Sequence, residues 1–161
     1  MEKNIVLIDN NFAIRETLKI VLDSLTQNNQ FKFNIFSSQN GIEGLGFVYV
    51  TQPDLVILDT TLPKYNGNDL LYFLLTNKKF HTEKIKVIIL TEKKQTLRVP
   101  QNFSVINKSD KNLLKKLSKE VETYFRLEKE NIYEYPTLIP IIINVANKRP
   151  SVVKDPKLFK S

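Results

Sequence analysis

Apolar runs and helix-spaced apolar positions alternate along the first 125 residues. Residues 5–8 form a continuous apolar run that ends in Asp9, the pattern of a central strand buried on both faces. Ile14, Leu18, Val21, Leu22 and Leu25 follow at three- and four-residue spacing and predict an amphipathic helix. Asn28, Asn29 and Gln30 end it. Phe31, Phe33 and Ile35 alternate with polar residues, which predicts a second strand with one wetter face. A helix is expected over residues 42–49, then a break at Pro53. Residues 55–58 are again wholly apolar and end in Asp59. The stretch 62–68, with Pro63 and Asn66-Gly67, reads as a loop, and Leu70, Leu71, Leu74 and Leu75 as the next helical face. Residues 85–90 predict a fourth strand ending at Thr91, and residues 103–106 a shorter fifth one close to Lys108. Ser109 or Asp110 can cap a last helix, whose core face is Leu113, Leu117, Val121 and Tyr124, with Leu114 and Phe125 alongside.

Strands that alternate with helices imply right-handed crossovers and a parallel sheet. Five such units predict an α/β, doubly wound domain over residues 1–127. The pattern then changes. Residues 128–161 contain Pro140, Pro150 and Pro156, and Pro140 interrupts the apolar cluster at residues 138–145, which argues against a central strand. This extension reads as an irregular tail that packs on the domain or on a second subunit.

Composition narrows the classes. The 161 residues include no cysteine, which excludes disulfides and thiolate zinc sites and fits a reducing cytoplasm. The first ten residues lack the apolar core of a signal peptide, and no apolar run is long enough for a bilayer; a cytoplasmic protein without membrane contact is expected. The net charge of +7 is divided between the domain and the tail, not gathered into a stripe. A lysine-rich solvated surface explains it better than a nucleic-acid site. The single histidine, His81, sits in a polar stretch and has no second histidine with which to ligate a metal.

The candidate chemistry lies where the strands end. Ligands of an open parallel sheet sit outside the carboxyl ends of the strands, where strand order reverses. Asp9, Asp59 and Thr91 end three strands there, and Lys108 lies just past the fifth. Singly, a strand-terminal Asp is often a turn residue; together the four bring two carboxylates, a hydroxyl and an ammonium into one crevice. Carboxylates with water suit Mg²⁺, a lysine can bind a phosphoryl oxygen as a point charge, and the hydroxyl can donate to another.

These residues sit in stretches that resemble the receiver domain of two-component response regulators, the CheY-like family. PDLVILDTTLPKYNG resembles the family's third strand and loop, VIILT its fourth strand with the switch Thr, NGIEGL the opening of its second helix, and IVLIDNN its first strand with an acidic pair. The resemblance covers residues 4–125. It implies a five-stranded sheet of order 2-1-3-4-5. It also implies that Asp59 accepts a phosphoryl group from a phosphohistidine on a histidine kinase or phosphotransfer protein. Asp9, Asn10, Asp59 and the backbone carbonyl of Thr61 would then hold Mg²⁺, and Thr91 and Lys108 would contact the phosphoryl oxygens. Such a domain is not an enzyme beyond self-catalysed phosphotransfer and dephosphorylation. It signals by changing its contacts with a downstream protein or with a second copy of itself.

Five positions depart from the family pattern. Asn10 replaces the second acid, which removes a charge from the metal site and implies weaker binding. Glu92 follows the switch Thr where a small residue is usual. Ser109 follows Lys108 in place of a cis proline, which implies a trans bond and a shifted ammonium. Val105 stands where an aromatic ring usually switches. The segment from Thr91 to Lys108 is short, so the fourth helix is expected to be a stub or missing. These departures favour an alternative, a pseudo-receiver that acts as an interaction or dimerisation module without phosphorylation.

Overall fold

The structure is a computed structural model of the chain and describes residues 1–28, 31–63, 67–77, 79, 84–92, 99–100 and 102–129. Within them the elements run β1 (Glu2–Ile8), α1 (Phe12–Asn28), β2 (Lys32–Ser38), α2 (Gly41–Thr51), β3 (Leu55–Asp59), α3 (Gly67–Thr76), β4 (Lys86–Thr91), β5 (Phe103–Asn107) and α4 (Leu113–Lys129). The five strands form one parallel sheet of order β2-β1-β3-β4-β5, the expected order.

The strands without polar alternation occupy the centre. Every residue of β3 and β4 is buried, as a strand covered by helices on both faces requires. Alternate side chains divide between two cores. Ile5, Leu7, Leu55, Ile57, Ile88 and Leu90 face α1 and α4; Val6, Ile8, Val56, Leu58, Val87 and Ile89 face α2 and α3. Each fully buried aliphatic side chain contributes about 1.5–3 kcal/mol. Leu18 and Leu22 of α1 and Leu117 and Val121 of α4 are fully buried, so the expected helical stripes are the ones that pack. Leu114 lies outside that stripe and is 38% exposed.

Helix α2 shows how local chemistry sets element ends. The Asn40 side chain accepts a hydrogen bond from Glu43 N, 2.9 Å, satisfying one free amide of the first turn. Gln52 adopts a left-handed conformation, φ 42°, closing the helix onto the carbonyl of Val48 directly before Pro53, which disfavours a helical residue ahead of it. On the buried face a Cβ at Gly44 would stand 2.4 Å from Ile8 Cδ1; only glycine allows this approach to the sheet.

Several boundaries differ from the sequence expectation. β1 begins at Glu2, before the apolar run, because its polar start pairs in register with Lys32 of the edge strand. α3 begins at Gly67, inside the expected loop. Asp110 Oδ1 accepts from Asn112 N and its carbonyl from Leu113 N, so the expected capping residue holds the turn that leads into α4. The segment expected to hold a fourth-helix stub, residues 93–102, is described only at residues 99–100 and 102, none of them helical; of the expected tail, residues 128–129 belong to α4 and residues 130–161 lie outside the described residues. No helix among the described residues is long and apolar enough to cross a membrane.

Candidate functional site

The register of the sheet brings the two aspartates together. Ile8 pairs with Leu58, so Asp9 and Asp59, each the next residue, emerge side by side from β1 and β3. Both are fully buried. Lys108 follows β5, and its amide donates to the carbonyl of Thr91 at 2.8 Å, which fixes the start of its side chain at the same edge. The Lys108 Nζ then stands 3.0 Å from Asp9 Oδ2 and 3.1 Å from Asp59 Oδ2. No cis peptide bond occurs among the described residues. With Ser109 after it, the ammonium still reaches both carboxylates.

Each carboxylate is oriented by its own loop. Asn11 N donates to Asp9 Oδ1 at 2.8 Å. Thr61 N donates to Asp59 Oδ1 at 3.0 Å, and the Thr61 hydroxyl lies 2.9 Å from each Asp59 oxygen. The sequence assigned Thr61 a carbonyl for the metal and, with Thr60, a place beside the acyl phosphate where it could tune access of water; the hydroxyl contact with Asp59 is additional. Arg15 was also missed. Its guanidinium donates to the Asp9 carbonyl at 2.8 Å, and its position one turn into the helix after β1 is the only sequence signal that could have found it. Thr91 is buried at the end of β4. Asn10, Glu92 and Ser109 are exposed, and Val105 is half-buried against the core beside α3. His81 lies outside the described residues.

The electrostatics of the site are unbalanced. Burial pushes the Asp9 carboxyl above its usual range, against the opposing pull of the Asn11 amide and of Lys108. Burial also works against the Lys108 charge, but contacts with Asp9 and Asp59 outweigh it and hold the ammonium above its usual range. Two carboxylates share one ammonium. Among the described residues the shared Lys108 ammonium is the one partner at contact distance of the buried Asp9 Oδ2. A buried carboxylate that must share its counter-ion is costly, and a hard cation is a partner whose chemistry matches it. Among the described residues no group of three acids or histidines exists to hold a metal.

Comparisons with known proteins bear on the family and the fold. The response regulator receiver domain matches residues 5–121. The probable transcriptional regulator ycf29 of Pyropia yezoensis is 33% identical over 96 residues, 60% of this chain and 40% of that protein. Sporulation initiation phosphotransferase F of Bacillus subtilis is 32% identical over 91 residues, 56% of this chain and 65% of that protein. The match thus spans less than two thirds of either relative. Among solved structures, a CheY-like receiver domain protein from Methanospirillum hungatei superposes with a TM-score of 0.60 at 22% identity, covering 81% of this chain and 99% of that one. The receiver domain of a histidine kinase from Syntrophus aciditrophicus gives 0.59 at 24% identity, covering 84% and 98%. Receiver domains bind Mg²⁺ at their phosphorylation site and interact with histidine kinases and downstream proteins. With the matched region covering most of the chain and the strand-end carboxylates and lysine converging at one edge, this chain belongs to the response regulator receiver domain family.

Proposed function

We propose that the chain is a working receiver: Asp59 accepts a phosphoryl group from a phosphohistidine on a partner histidine kinase or phosphotransfer protein, and the modified domain signals by altered contacts with a downstream protein. The observation that carries this reading is the placement of one ammonium between two fully buried carboxylates. An Asp59 oxygen attacks phosphorus, the phosphorus–nitrogen bond of the donor breaks, and the imidazole leaves with a proton. Lys108, and the hydroxyl of Thr91 at the end of β4, would offset charge on the phosphoryl oxygens. Asp9, Asn10, Asp59 and the Thr61 carbonyl would hold Mg²⁺, which when bound supplies positive charge against the phosphoryl group. The chemistry amounts to self-catalysed phosphotransfer and dephosphorylation, in a cytoplasmic signalling protein. Intact mass after incubation with a small phosphodonor and Mg²⁺ tests this. A gain of one phosphoryl group in the wild type and none in Asp59→Asn supports it; no gain in a folded wild type overturns it.

A second reading rests on Asn10 and Val105. The site lacks its third acid, and a valine, half-buried against the core, cannot swing as an aromatic ring does. A pseudo-receiver would use the fold for interaction or dimerisation alone, and it is the reading favoured if no phosphoryl group is taken up.

A further inference from the structure

Helix α2 turns apolar side chains to solvent. Of its 11 residues only Glu43 is charged, and that carboxylate is held by Ser38 Oγ at 2.7 Å. Gly41, Gly44 and Val48 form the buried face. Opposite them Ile42, Tyr49 and Val50 are 58%, 56% and 79% exposed. At 3.6 residues per turn, positions 42, 46, 49 and 50 fall within an arc of about 100°. Gly46 lies at its middle, and a Cβ there would meet nothing within 4 Å. The result is a shallow apolar groove floored by a glycine. A solvent-facing helix surface ordinarily carries polar residues, and exposed apolar side chains gathered on one face mark a contact site where single scattered ones do not.

The path of the chain identifies the occupant. α4 lies in the other helix layer, and Phe125 near its end packs on Phe31 and Phe33, 5.5 and 5.1 Å between ring centroids. The last turns of α4 therefore stand beside the start of β2, an edge strand. α2 packs over β1 and β2 on the opposite face. Beyond Lys129 the sequence continues to Ser161, and its one long apolar stretch, LIPIIINV at residues 138–145, carries no charge. The residues between Lys129 and Leu138, when extended, span roughly 30 Å. That is enough to round the edge strand, since about 20 Å, two helix diameters, separates the layers. Pro140 bars the stretch from a central strand but suits an extended segment lying in a groove.

We propose that residues 138–145 dock in the groove on α2 of the same chain, over Gly46 and against Ile42, Tyr49 and Val50. The inference does not depend on phosphorylation. The chain has no cysteine, so Val50→Cys introduces a single thiol at the groove. Its alkylation rate in the full-length chain is the readout, with and without Ile141→Asp and Ile142→Asp, alongside the mass in solution. Docking predicts a monomer whose thiol reacts at least about tenfold faster once the two aspartates are present. Equal, fast alkylation in both chains overturns the proposal. So does protection that survives the aspartates, or protection found only in a dimer; the last outcome assigns the groove to a second copy.

Discussion

Lys108 Nζ stands 3.0 Å from Asp9 Oδ2, a carboxylate oxygen closed off from solvent. With Asp59 at 3.1 Å, the ammonium serves two buried carboxylates at once. The only other cation that the described contacts bring to the pair is Arg15, and it is held at the Asp9 backbone carbonyl instead of at either carboxylate.

Removing Lys108 leaves both carboxylates buried without a counter-charge. Lys108→Met is expected to cost about 3–5 kcal/mol at neutral pH, the usual penalty for breaking a buried pair. Urea unfolding measures it. In acid, where the carboxyls are neutral, the loss should shrink; a loss of equal size at both pH values would mean that packing, not charge, is responsible.

The raised Asp9 carboxyl makes a signed prediction. Its folded-state affinity for a proton exceeds that of the unfolded chain, so this group adds stability as pH falls through the raised range toward the usual 3.8. Above that range the buried charge is a cost. Asp9→Asn should therefore raise the unfolding midpoint at pH 7 and leave it unchanged near pH 3. Lys108 titrates at the other end: while the carboxylates are ionised its contribution is complete up to 10.5 and is lost as pH rises further. A lower midpoint for Asp9→Asn at pH 7 would contradict the assignment.

Mg²⁺ should stabilise the wild type at neutral pH, because a ligand that binds only the folded state shifts the equilibrium toward it. Thermal unfolding in increasing MgCl₂ reads this directly. Asp9→Asn is expected to lose most of the shift. Restoring a charge with Asn10→Asp should enlarge it, since that position supplies the acid the site lacks.

Gly44→Ala should destabilise the domain by about 1–3 kcal/mol, the range for overpacking a core, despite the better helix propensity of alanine. The new Cβ would meet Ile8 Cδ1 at 2.4 Å, and Ile8 is fully buried with no room to retreat. Combining it with Ile8→Val, which removes that atom, should cost less than the two single changes together. Additive losses in urea unfolding would refute the contact.

Much of the fold was legible from periodicity. The runs at residues 5–8 and 55–58 are apolar at every position because helices cover both faces of β1 and β3, and the spacing of Leu18, Leu22, Leu117 and Val121 is that of buried helix faces. The four site residues were legible because each lies at or just past the end of a strand, and parallel strands deliver their carboxyl ends to one edge. Boundaries were not: the polar start of β1 is decided by pairing with Lys32 across the ladder. Nor could spacing tell that Arg15 would clasp the Asp9 carbonyl, or that the Thr61 hydroxyl would face Asp59. The sequence by itself determined which residues seek burial and where each strand and helix lies. Only the tertiary structure decided which charges meet, because register and loop geometry, not spacing along the chain, place one ammonium between Asp9 and Asp59.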